Sequence, residues 1–161
     1  MKRMRILAMV AVLVAAPAMA QEKPTAAEAR KVMNYYFDGN EGAILLAHSL
    51  CLKMGAEKGP DKNNCVETVA PESIQKGQKA TLWMNYLIPQ NTKAEILISF
   101  SRNGKVRRTE TVGLSGATRY RTWVKLPTDK VGQWSVSVTQ ELDNTDLGLA
   151  DFTYSVAAPQ Q

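Results

Sequence analysis

The 161-residue sequence predicts a mainly β protein: an immunoglobulin-like antiparallel β-sandwich preceded by one short N-terminal helix. Three observations carry that prediction. From Gln78 onward, short apolar runs alternate with period two and are separated by turn residues. Asn103-Gly104 lies between two such runs, and Asn-Gly in that setting is the strongest short-range hairpin signal. A capped helical pattern occurs near the start, in the residues after Pro24.

The first twenty residues read as an address. Lys2, Arg3 and Arg5 are followed by an apolar run from Ile6 to Ala16 and then by Ala18-Met19-Ala20. A basic start, a short apolar stretch and an Ala-x-Ala end match a cleavable secretory signal. The run is too short for a stable transmembrane helix. No Cys lies nearby to carry a lipid. The expectation is export to the periplasm, cleavage after Ala20 and a chain that does not span the membrane. Three of the twenty basic residues leave with the signal and none of the fifteen acidic ones, so seventeen face fifteen in the remainder. That balance is too even to imply a nucleic-acid partner. The expected organisation is 1–20 signal, 21–42 helix and linker, 43–157 sandwich and 158–161 tail.

Thr25 is an N-cap residue and Glu28 follows three positions later, as in a capping box. Ala29, Val32, Met33, Tyr36 and Phe37 recur at helical spacing, and Asp38-Gly39-Asn40 supplies the stop. Ile44 to Lys53 is apolar and fits either a second helix or a buried strand. Cys51 and Cys65 are the two cysteines, and in an exported chain they are expected to pair. Closing so short a loop contributes about 3 kcal/mol in the chain-entropy model. Met54 to Asn64 between them is polar and rich in turn formers, so the bridge reads as a staple on a loop. His48 stands three residues before Cys51, but His-x-x-Cys without further ligands does not make a metal site. No metal or cofactor is expected.

The strands follow in order. Ala80 to Ile88 ends at Pro89, and Glu95 to Ser101 alternates Ile96, Ile98 and Phe100. Val106 to Val112 returns after the Asn-Gly turn. Leu114-Ser-Gly-Ala117 breaks the run, and Thr118 to Leu126 resumes it. Gly132 to Val138 sets Trp134, Val136 and Val138 against Gln133, Ser135 and Ser137. Leu147 to Val156 closes the set with Ala150, Phe152, Tyr154 and Val156 on one side. Cys51 and Cys65 lie too close together to be the inter-sheet bridge of antibody domains.

Gly132-x-Trp134-x-Val136-x-Val138, then Leu147-Gly148 and Phe152-x-x-x-Val156, resembles the end of small β-sandwich domains of unknown function in bacterial exported and envelope proteins. Leu50-Cys51 with Gly59-Pro60 is similar to that group's first strand, which ends in a Cys before a Pro-containing loop. The resemblance spans about Ala43 to Val156 and implies that Ile44 to Lys53 is a strand. It implies fold and compartment, and no activity.

No catalytic motif appears. Any triad would have to run through His48, and Gly-x-Ser-x-Gly, a P-loop and a dinucleotide fingerprint are all absent. Asp143-Asn-Thr-Asp146 lacks the Gly and distal Glu of a calcium loop and reads, with Glu141, as a solvated turn. The candidate site is a basic and aromatic face. Arg119, Arg121, Trp123 and Lys125 alternate with Tyr120, Thr122, Val124 and Leu126, so one strand presents the first four to the same side. Arg107 and Arg108 extend the patch if their strand lies in the same sheet. A sugar platform of Trp83 and Tyr86 is a further candidate. The expected function is non-catalytic binding in the periplasm, with another envelope protein as partner through a sheet edge or the Arg/Trp face. The alternative is an anionic polysaccharide or lipid headgroup, and the third reading is an enzyme.

Overall fold

The computed structural model describes residues 24–39, 42–142 and 145–159; the expected signal and Asp143 lie outside them. The elements are α1 (Ala26–Asp38), β1 (Ile44–Met54), β2 (Cys65–Thr68), β3 (Ile74–Gln75), β4 (Thr81–Arg102), β5 (Lys105–Lys125), β6 (Gly132–Leu142) and β7 (Thr145–Ala157). Ile44 to Lys53 is therefore a strand. Among the described residues no helix is long and apolar enough to cross a membrane.

The strands join in the order β2-β1-β4-β6-β7-β3, with β5 on β4. Two of them are far longer than their sequence suggests. The expected breaks at Pro89 and at Leu114–Ala117 are corners within single strands, not ends. Pairing slips there, from Ile88 opposite Ala117 to Lys93 opposite Ser115, and then resumes. Such irregularities bend a strand without ending its ladder. The corner is tight: a Cβ on Gly116 would lie 2.8 Å from Pro89 O.

Because β4 and β5 bend together, they serve both layers. The first half of β4 pairs with β1, and the second half pairs with β6. One layer is thus β2-β1-β4-β5, and the other is β5-β4-β6-β7-β3. Between them Leu82, Met84, Tyr86 and Ile88 meet Ile96, Ile98 and Phe100, all fully buried, with Trp134, Val136 and Val138. Burying these side chains at about 25 cal/mol per Å² is the main force holding the layers together. At the far tip Asn103 and Gly104 both take positive φ, 53° and 71°, as a two-residue hairpin turn requires.

The capping box at Thr25 and Glu28 forms, with Glu28 N donating to Thr25 Oγ1 at 3.2 Å and Thr25 N to Glu28 Oε2 at 2.8 Å. The helix packs on β4 and β5, yet none of its residues is buried, and Val32, Met33 and Phe37 stay exposed. Along the edge strand β5, Arg108 and Glu110 sit opposite the core residues Phe100 and Ile98 and pair with each other. Inward-pointing charges of this kind discourage edge-to-edge association.

Candidate functional site

The outer face of the first layer is organised in rows across its strands. Ser49 on β1 lies opposite Trp83 on β4, and Trp83 lies opposite Trp123 on β5. Directly opposed residues share a face, so the two indoles stand on one surface. The neighbouring rows set Asn85 opposite Arg121 and Thr81 opposite Lys125. Trp123 is 42 % exposed while Trp83 is half-buried. The Trp83–Tyr86 platform does not form, because Tyr86 is fully buried in the core. Positions three apart on a strand point to opposite faces, a parity visible in the sequence.

Trp83 is half-buried because the loop between the cysteines folds over it. Cys51 and Cys65 are joined by a disulfide, with Cα atoms 5.8 Å apart. Gly55 N donates to Asn64 O at 2.8 Å, which closes the loop above the bridge. The loop then accepts two hydrogen bonds from the sheet: Trp83 Nε1 donates to Asn63 O at 2.8 Å and Arg121 Nη1 to Lys62 O at 3.2 Å. Between loop and sheet lies a trough of about 490 Å³, floored by Trp83 and walled by Ser49, Asp61, Asn64, Thr68 and Arg119.

The four strand residues read from the sequence therefore divide. Arg119 is exposed and lines the trough. Trp123 is the exposed indole beside it. Arg121, expected to face solvent, is half-buried and anchors the loop. Lys125 borders a separate cavity of about 460 Å³ with Leu52, Met54, Ala80 and Leu126. Arg107 and Arg108 do not join this face: β5 bends between, and they stand on the part of the strand that belongs to the other layer.

Two opposed residues of the face hold unused hydrogen-bonding capacity. Among the described residues Asn85 Oδ1 and Arg121 Nε are buried without a hydrogen-bond partner, one an acceptor and the other a donor. Unpaired buried polar atoms are rare in native proteins and call for an explanation. His48 has no part in the trough: its ring stacks on Phe152, centroids 4.8 Å apart. No group of three His, Cys, Asp or Glu side chains converges among the described residues.

No family model matches the chain, and no curated protein matches it. Among solved structures it is similar to the C-terminal domain of Wzt, at 11% identity and a TM-score of 0.48, over 75% of this chain and 77% of that one.

Sequence reasoning missed the loop's share in the site, namely Asp61, Asn64 and the carbonyls of Lys62 and Asn63. No local pattern marks them. What brings them to the sheet is the disulfide and the β1–β4 pairing.

Proposed function

We propose that this protein is a non-catalytic binding protein of an exported compartment that takes a segment of an acidic polysaccharide on the outer face of its first layer. The observation that supports it most is the pair of indoles, Trp83 and Trp123, opposed on one face with Arg119 lining the adjoining trough. Indoles offer the flat apolar surface against which the C–H face of a sugar ring packs. Ser49, Thr68 and Asp61 supply donors and acceptors for hydroxyls, and Arg119 suits a uronate carboxylate, which it can grip with two N–H groups.

Affinity electrophoresis through a polyuronate gel and a neutral dextran gel tests the reading. Retardation is expected in the polyuronate alone, weakening steeply with added salt because exposed charges are screened. Trp123→Ala should reduce it at least about tenfold, as loss of an aromatic hot spot does, without a change in Tm. Equal behaviour in both gels overturns the proposal.

One observation favours a protein partner instead. Among the described residues β5 pairs with β4 alone, and its first-layer half, away from the inward-pointing Arg108–Glu110 pair, keeps an unpaired edge for strand addition. Such a partner would persist at high salt and be insensitive to Trp123→Ala.

A further inference from the structure

A second cluster of cations stands at the mouth of the sandwich beside the β4–β5 hairpin, independent of the outer face. Here the inner-face positions change from core to charge. Arg102 lies opposite Trp134, and Arg108 opposite Phe100. The Arg102 guanidinium sits 5.6 Å from the centroid of the Trp134 ring, and that of Arg108 sits 5.9 Å from the Phe100 ring. Trp134 is in turn backed by Tyr154, their rings within 8° of parallel.

The segment linking β5 to β6 is pinned over these rings. Trp134 Nε1 donates to Lys130 O at 3.1 Å, the Tyr154 hydroxyl to Pro127 O at 2.8 Å and Arg102 Nη1 to Val131 O at 3.3 Å. The result is a pocket of about 320 Å³ whose charged lining is Arg102, Arg107, Arg108, Lys130 and Asp129.

Its charge balance is specific. Arg108 is neutralised by Glu110, in the one ion pair among the described residues. Arg102, Arg107 and Lys130 then face Asp129, an excess of two positive charges. Arg102 Nε, moreover, is buried with no hydrogen-bond partner among the described residues. A guanidinium held against an indole is a fork set in advance for an oxoanion.

We propose that this pocket is a binding site for a phosphate group. A phosphomonoester or inorganic phosphate near pH 7 carries between about 1.5 and 2 negative charges, which matches the excess. A lone carboxylate would leave one cation uncompensated.

Titration of the full protein with inorganic phosphate and with glycerol 3-phosphate, followed by NMR at the Trp134 indole N–H, tests the site. A saturable shift is expected with both, and none with sodium chloride at equal ionic strength. Tighter binding of the glycerol ester than of free phosphate assigns the ester as ligand; equal affinity assigns the free ion. Arg107→Gln combined with Lys130→Gln should weaken binding at least about tenfold, the scale set by losing two charge-assisted contacts. Both side chains are exposed, so Tm should hold. Trp123→Ala should leave the titration unchanged, which separates this site from the outer face. A shift that chloride reproduces, that fails to saturate or that survives the double substitution overturns the proposal.

Discussion

Trp83 and Trp123 face each other across the β4–β5 ladder, and the Cys51–Cys65 loop ties down only the first of them. One indole is a fixed floor whose N–H is spent on the loop. The other is 42 % exposed and has its apolar face available. The pair thus couples a structural element, the stapled loop, to a surface able to bind.

Arg119 and Arg121 should separate when replaced. Arg119 is exposed, so Arg119→Glu should change stability by less than about 0.5 kcal/mol, as surface substitutions do. Arg121→Glu removes a donor to Lys62 O and places a carboxylate under the loop, at a cost of about 1–3 kcal/mol. Denaturant melts of the two single variants measure the difference, and equal effects would mean that Arg121 does not hold the loop.

Replacing both Cys51 and Cys65 with Ala should lower stability by about 2–4 kcal/mol, because the unfolded chain regains the entropy of the open loop. The loop also forms one wall of the trough, so polyuronate binding should fall even where the variant is fully folded. Binding equal to that of the parent in the folded variant would remove the loop from the site.

Trp134 is 3 % exposed and stacks on Tyr154, so Trp134→Ala should cost about 3–5 kcal/mol, the usual range for a buried aromatic. Urea unfolding followed by circular dichroism gives the value. A cost below about 1 kcal/mol is the size expected of a surface position and would contradict its burial.

Tyr86 and Tyr154 make the fold sensitive to alkali. Burial pushes both phenols above their ordinary value of 10.0; for Tyr154, Arg108 opposes the rise and Asp129 adds to it. The folded state therefore binds these protons more tightly than the unfolded state. Their contribution is complete below pH 10.0 and is lost as pH rises through the folded values. Tm should fall above that pH, and Tyr86→Phe should reduce the fall. Among the described residues its hydroxyl donates only to Met84 Sδ, a weak acceptor, so the change should cost less than about 1 kcal/mol at neutral pH. An unchanged alkaline profile in Tyr86→Phe would refute the assignment.

Much of this molecule is local and was legible along the chain. The capping box at Thr25 and Glu28, the Asn103–Gly104 turn and the alternation that buries Trp134, Val136 and Val138 depend on neighbours a few residues apart. So does the parity that sets Arg119, Arg121 and Trp123 on one side of β5, since adjacent strand residues point oppositely. The corners at Pro89 and Leu114–Ala117 read as breaks because they interrupt that alternation. Only the pairing of β4 with β5 across the slip keeps each a single strand. Which arginines meet which tryptophans followed from the same bend: it carried Arg107 and Arg108 to Trp134 in one layer and left Arg119 and Arg121 with Trp83 in the other. The short strands β2 and β3 exist only by pairing, with β1 and with β7. Alternation is set by the backbone of a single strand, whereas register, bending and the covering of Trp83 are set by contacts between segments distant in the chain.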